Sequence, residues 1–138
     1  MKKVVYISDI LSFISCNNHH KNLLVLDIDN TILKGSTSLG SDQWYSWQCQ
    51  LIKQKSKYSV AYDIEHLNKI INEMYSHLVY ELCEPELPNT LFLLRKLGLD
   101  IVLLTARGSD CHDYLLKTLK QLNVFPYLMT SCRNHLGG

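Results

Sequence analysis

Two runs of aliphatic residues dominate the pattern of hydrophobic and polar positions along the chain. The first is Leu-Leu-Val-Leu at residues 23–26, and the second is Ile-Val-Leu-Leu at residues 101–104. Short continuous runs of this kind, rather than alternating ones, are typical of strands buried on both faces of a parallel sheet. The pattern therefore predicts two buried parallel strands, and residues 125–130 are a candidate third strand.

Apolar residues also recur at spacings of three and four, which is typical of helices with one buried face. The clearest case runs from Ile64 to Leu82, and another predicted helix follows a cap at Ser41 or Asp42. The other predicted helices cover residues 8–16, 88–97 before Gly98, and 110–122 after a cap at Ser109 or Asp110. Strands that alternate with helices indicate an α/β fold.

The size and charge of the chain limit the function classes that remain open. At 138 residues the chain is long enough for one domain with a hydrophobic core, and short for two. The formal charge of +1 gives no electrostatic basis for binding nucleic acid or an acidic membrane. No apolar run has the length of a membrane span. We therefore expect no nucleic acid and no membrane partner, and the oligomeric state stays open.

The N-terminal residues and the cysteines indicate the cellular compartment in which the protein is located. Asp9 interrupts the apolar run that follows Met1–Lys3, and no small-residue cleavage site follows, unlike in a signal peptide. Five cysteines, an odd number without regular spacing, fit reduced thiols better than a disulfide framework. The sequence therefore predicts a cytoplasmic protein.

Two carboxylates stand where the first predicted strand should end. Asp27 and Asp29 are two residues apart, so their side chains project to the same side of an extended backbone. Two acids at the end of an apolar strand are unfavourable unless something neutralises them, and oxygen ligands favour Mg²⁺ or a similarly hard cation. Ligands of open α/β sheets bind at this end of the strands. The alternative is an ordinary turn in which Asp and Asn side chains cap the backbone.

Two stretches of the sequence resemble motifs of one enzyme family. Residues 26–33, Leu-Asp-Ile-Asp-Asn-Thr-Ile-Leu, resemble the first motif of the haloacid dehalogenase-like (HAD) phosphohydrolases. Residues 101–105, an apolar strand that ends in Thr105, resemble the second motif, and Arg107-Gly108 with the following Leu-rich helix matches a common branch. The sequence of residues 40–44, Gly-Ser-Asp-Gln-Trp, is similar to that found in an uncharacterised bacterial branch of this family, which is related to secreted acid phosphatases. The resemblance covers about residues 23–122.

The resemblance implies a fold and a reaction. It implies a Rossmann-like parallel sheet formed by residues 1–34 and 85–138, a HAD-like core. Residues 35–84 would be a small helical cap insertion over the active site. The implied function is Mg²⁺-dependent hydrolysis of a small-molecule phosphate ester. The sequence does not name the substrate, because the cap would determine it.

The same resemblance implies a role for each candidate site residue. Asp27 would be the nucleophile that forms an aspartyl-phosphate, and it would also bind Mg²⁺. Asp29 would protonate the leaving alcohol, activate the hydrolytic water and give Mg²⁺ its backbone carbonyl. The Thr105 hydroxyl and the backbone N–H at Ala106 would hold the phosphoryl oxygens. Thr31 would brace the loop that carries the acid and belongs to the same phosphate-binding set.

The sequence departs from the family pattern in its second half. The family has a lysine that neutralises the phosphoryl group and further acids that complete the Mg²⁺ shell, and neither is visible here. No acid follows Asp113. We therefore expect a C-terminally truncated chain that is a poor catalyst by itself. The alternative is a catalytically inactive fragment or interaction module.

Other readings of single residues stay open at this point. A zinc-like set of Cys111, His112, Cys132 and His135 fits no standard ligand spacing, so scattered thiols and surface histidines are favoured. A phospho-receiver domain would carry its acceptor aspartate on a later strand. Two tryptophans, at positions 44 and 47, suit either a wall of the substrate site or an anchor of their helix on the core.

Overall fold

The computed structural model of the chain describes residues 6–14, 22–124 and 128–131. Residues 15–16 of the first predicted helix lie outside the described residues, as do residues 125–127 of the candidate third strand. Within these ranges the elements, in chain order, are α1 (Asp9–Ile14), β1 (Leu23–Asp27), β2 (Leu33–Gly35), α2 (Asp42–Lys53), α3 (Ile64–Tyr75), β3 (Tyr80–Leu82), α4 (Leu87–Lys96), β4 (Asp100–Thr105), a 3₁₀ turn (Ser109–Cys111), α5 (His112–Gln121) and β5 (Leu128–Ser131).

Three parallel strands form the main sheet in the order β1-β4-β5. The register runs from Leu23 opposite Asp100 to Asp27 opposite Leu104, and Thr105 lies opposite Ser131 on the other side of β4. The predicted α/β class, the parallel sheet and the third strand are therefore confirmed. This arrangement is compatible with a Rossmann-like fold.

The prediction that β1 is buried on both faces is wrong. Leu26 is buried, but Leu23 is 62% exposed and Val25 is 50% exposed. Among the described residues β1 has a neighbouring strand on one side only. Both crossovers, through α4 and through α5, advance in the same direction across the sheet. Since such crossovers are nearly always right-handed, we expect α4 and α5 on one face of the sheet and Leu23 and Val25 on the other.

The chain divides into two compact units. A core unit consists of Met1–Lys34 and Leu82–Gly138 and holds the main sheet, while a helical unit consists of Gly35–Glu81 and holds α2 and α3. The predicted division falls after residues 34 and 84. The action of the second segment as a cap stays a prediction.

The helical unit has its own small core and a clear helix cap. Ala61, Leu67 and Ile71 form a buried cluster, and Trp44 packs against it. The Ser41 hydroxyl oxygen accepts a hydrogen bond from the Trp44 N–H at 3.2 Å, which is the predicted N-cap of α2. Trp44 is thus a core anchor, whereas Trp47 is exposed.

The helix predicted over residues 64–82 is too long. α3 ends at Tyr75, where the Ser76 N–H bonds to the carbonyls of Glu73 and Met74. Residues 80–82 instead form β3, which pairs with β2 in a separate two-stranded sheet. The periodicity misleads here because Leu78 and Leu82 continue a helical spacing although α3 has already ended and Leu82 belongs to β3.

Two smaller expectations about α4 and α5 also fail. The spacing of three from Leu91 and Leu94 predicts that Leu97 faces inward, but Leu97 is exposed. Gly98 follows α4 with a positive φ of +90°. Ser109 and Asp110 lie within the 3₁₀ turn, and α5 begins after Cys111 without a side-chain cap. Short 3₁₀ turns of this kind are common at the N-terminal ends of α-helices.

Candidate active site

The carboxyl ends of β1 and β4 lie together at one end of the main sheet, which is called the sheet edge below. Asp27 ends β1 opposite Leu104, and the Ile28 N–H donates to the Leu104 carbonyl at 3.0 Å. Thr105 is the next residue of β4, so Asp27 and Thr105 lie at one edge, as parallel pairing predicts. Asp27 is exposed, whereas Thr105 is fully buried. Solvent thus reaches the predicted nucleophile directly.

A tight loop after β1 carries Asp29. The Ile28 carbonyl accepts hydrogen bonds from the N–H groups of Ile32 and Leu33, both at 2.9 Å, and a longer one from Thr31 at 3.4 Å. Asn30 has a positive φ of 60°, and its N–H donates to the Leu33 carbonyl at 2.7 Å. Asparagine tolerates this left-handed conformation better than most residues. These bonds hold the backbone of Asp29 in a defined position, and the role predicted for the Thr31 side chain stays a prediction.

Arg107 is a site residue that the sequence reasoning missed. Its Nη2 lies 2.5 Å from Asp29 Oδ1, and its Nε donates to Asp29 Oδ2 at 3.2 Å. This two-point pairing of guanidinium and carboxylate is among the stronger charge-assisted contacts in proteins. The available signal was the position of Arg107 two residues after Thr105, at the sheet edge where the two acids were expected.

The second strand end is organised around the same arginine. The Arg107 N–H donates to the Thr105 hydroxyl oxygen at 3.1 Å. The Arg107 side chain is only 4% exposed, while that of Asp29 is 37% exposed. Ala106, which lies between Thr105 and Arg107 in the sequence, is exposed. Of the two residues expected to bind phosphate at this strand end, Ala106 is therefore the one that solvent reaches.

Arg107 changes the electrostatic picture of the two acids. The sequence alone required an outside cation to offset Asp27 and Asp29. A guanidinium within the core unit now offsets the charge of the Asp29 carboxylate. A cation that binds at this edge is therefore attracted mainly by the charge of Asp27, and less by that of Asp29.

The described residues contain no group of three or more His, Cys, Asp or Glu side chains that could hold a metal ion. At the sheet edge the oxygen donors that suit Mg²⁺ are the Asp27 carboxylate and the Asp29 backbone. The backbone hydrogen bonds within the loop are accepted by the carbonyls of Ile28 and Leu33 rather than by that of Asp29. The Asp29 side chain is engaged by Arg107, and the role of its backbone carbonyl toward Mg²⁺, which the family resemblance implies, stays a prediction.

The alternative zinc set falls partly outside the described residues. Cys111 is buried at the end of the 3₁₀ turn and His112 begins α5, while Cys132 and His135 are not described.

Across the described residues, none of the helices has the length and apolar character needed to cross a membrane.

The chain was compared with family models, with curated proteins and with solved structures. No curated protein and no solved structure matches the chain. One family model matches residues 3–125, which is most of the chain. The chain belongs to this family, described as "Protein of unknown function (DUF2608)".

Proposed function

We propose that this protein is a HAD-like phosphohydrolase that cleaves phosphate monoesters through an aspartyl-phosphate on Asp27. The observation that carries the proposal is the sheet edge itself. An exposed aspartate ends one strand, and a second aspartate two residues later is held by an arginine from the neighbouring strand end. The resemblance of residues 26–33 and 101–105 to two motifs of that family supports the same reading.

The first chemical step transfers the phosphoryl group to the protein. The Asp27 carboxylate attacks phosphorus, and the bond between phosphorus and the ester oxygen breaks. The electron pair stays on the ester oxygen, which takes a proton from the Asp29 carboxyl group and leaves as an alcohol. Asp29 is a carboxylate in its ion pair with Arg107, so the form that reacts takes up one proton together with the substrate. A protonated carboxyl group keeps acceptor lone pairs, so Asp29 can donate this proton and still accept from Arg107.

The second step returns the protein to its starting state. Water gives a proton to the Asp29 carboxylate and attacks phosphorus, and the bond between phosphorus and the Asp27 oxygen breaks. Inorganic phosphate leaves, Asp27 is again a carboxylate and Asp29 is again protonated. The sum is the hydrolysis of one phosphate ester by one water molecule. The buried Thr105 hydroxyl and the Ala106 backbone would support the phosphoryl oxygens at this edge.

The donor set at the edge fits Mg²⁺ through the Asp27 carboxylate and the Asp29 carbonyl. When bound, a divalent cation offsets the repulsion between a carboxylate nucleophile and a doubly charged phosphoryl group. The chain's own residues supply the nucleophile, the proton carrier and the positioning of both. Residues 35–81, the helical unit, would act as the cap of such an enzyme. The cytoplasmic location predicted from the sequence belongs to the same proposal.

The test is turnover of an aryl phosphate by the purified chain in millimolar Mg²⁺. Asp27→Asn is the critical variant, and Asp100→Asn is its matched control. Asp100 is an exposed acid that begins β4, at the opposite edge of the same sheet. We expect loss of turnover in Asp27→Asn and retention in Asp100→Asn. Equal activity of the wild type and Asp27→Asn would refute the proposal. A folded wild type without turnover would favour the inactive-fragment alternative.

A further inference from the structure

Arg107 lies beneath Asp29 at the sheet edge. The guanidinium side chain is 4% exposed, whereas the carboxylate that it holds is 37% exposed. The surface that a substrate meets at this point is therefore formed by Asp29 rather than by the arginine. A group so placed acts on a bound molecule through its partner.

Both ends of this ion pair are anchored by backbone hydrogen bonds. The Arg107 N–H is tied to Thr105, which is fully buried at the end of β4. Asp29 is carried by the loop that closes on the Ile28 and Leu33 carbonyls. With the backbone fixed, the direction of the Asp29 carboxyl group depends on its side-chain torsions. The two nitrogens of Arg107 that bond both carboxylate oxygens restrict those torsions.

We propose that Arg107 is a positioning residue that orients the Asp29 carboxyl group toward the leaving oxygen of the substrate. The proposal rests on the function proposed above. A proton donor in a fixed place matters most when the leaving group is a strongly basic alkoxide. It matters little when the leaving group is a stable phenolate. The site is therefore built for alkyl phosphates, the esters of ordinary alcohols, rather than for activated aryl esters.

The experiment compares two substrates across a small set of variants of the full chain. Glycerol phosphate needs a proton on its leaving oxygen, and a dinitrophenyl phosphate does not. We expect Arg107→Met to lower kcat for glycerol phosphate by about 10²-fold, the lower range for loss of general acid catalysis. Turnover of the dinitrophenyl ester should be nearly unchanged. Arg107→Lys keeps the charge without the two-point geometry and should fall between, again only for the alkyl ester.

Arg95→Met is the matched control, because Arg95 is an exposed arginine in the last turn of α4. It should leave the rates for both substrates unchanged. An equal loss on both substrates in Arg107→Met and Arg107→Lys, or no loss on either, would overturn the positioning role while leaving the proposed function intact. If Arg107→Met does not fold, the substrate ratio of Arg107→Lys decides. Absence of Asp27-dependent turnover of both esters by the wild type would instead refute the proposed function, and this role with it.

Discussion

The ion pair between Arg107 and Asp29 should contribute unequally to stability, depending on which partner is removed. Arg107 is almost completely buried, while more than a third of the Asp29 side chain is exposed. In Arg107→Met a side chain of similar length and no charge fills the buried space, and water can still solvate the Asp29 carboxylate. In Asp29→Asn a buried guanidinium keeps its charge with one carboxylate fewer nearby. The second change should therefore be the more destabilising one.

The magnitudes follow from the exposure of each partner. Removing one partner of a fully buried pair costs roughly 3–5 kcal/mol, and an exposed pair contributes roughly 0–1 kcal/mol. Since Asp29 is partly exposed, we expect about 2–3 kcal/mol for Asp29→Asn and about 1–2 kcal/mol for Arg107→Met. The double variant should lose less than the sum of the two, with a coupling energy of about 1–2 kcal/mol, because the residues are in direct contact.

Urea unfolding followed by far-ultraviolet circular dichroism measures these free energies of unfolding. The control is the pair of Glu65 and Lys69 on α3, which has an N–O distance of 2.9 Å but side chains that are 80% and 72% exposed. Its double-mutant cycle should give less than about 0.5 kcal/mol. A coupling energy for Asp29 and Arg107 as small as that of the control, or a larger loss in Arg107→Met than in Asp29→Asn, would refute the reasoning.

Two further predictions concern the loop and the sheet. Asn30→Gly should leave the free energy of unfolding nearly unchanged, whereas Asn30→Val should lower it by about 1–3 kcal/mol, because a β-branched residue resists the φ of 60°. Equal effects of the two substitutions in urea unfolding would contradict the loop assignment. Leu103→Ala, at a fully buried position of β4, should lower the free energy of unfolding far more than Val25→Ala on the exposed face of β1. A Val25→Ala cost comparable to that of Leu103→Ala in the same assay would show that the face is covered.

The sequence was sufficient for the elements that depend on local chemistry. Asp27 and Thr105 each follow an aliphatic run, and parallel pairing then brings both to one edge of the sheet. Ser41 was identified as a cap because its role needs only the N–H three residues ahead. These predictions use neighbours in sequence, or a general rule about parallel strands, and they did not require the order of the strands.

The features that the sequence reasoning missed depend on long-range placement. The exposure of Leu23 and Val25 depends on the place of β1 in the sheet, where the described residues give it a neighbouring strand on one side only. A strand at residues 80–82 becomes favourable because residues 33–35 are available as its partner. Arg107 meets Asp29 across a separation of 78 residues, which no local pattern records. The charge that offsets Asp29 was therefore assigned to an outside cation.

The most direct measurement is the detection of the phosphoryl group on the protein. The chain is mixed with a dinitrophenyl phosphate, whose leaving group needs no proton from Asp29, and with Mg²⁺; it is then quenched in acid and digested, and the peptides are analysed by mass spectrometry. We predict one added phosphoryl group on Asp27, with greater accumulation in Asp29→Asn, because Asp29 would activate the water that removes it. Asp27→Asn should show none. Turnover with an unmodified Asp27 in both the wild type and Asp29→Asn, or a phosphoryl group on another residue, would contradict the proposed mechanism.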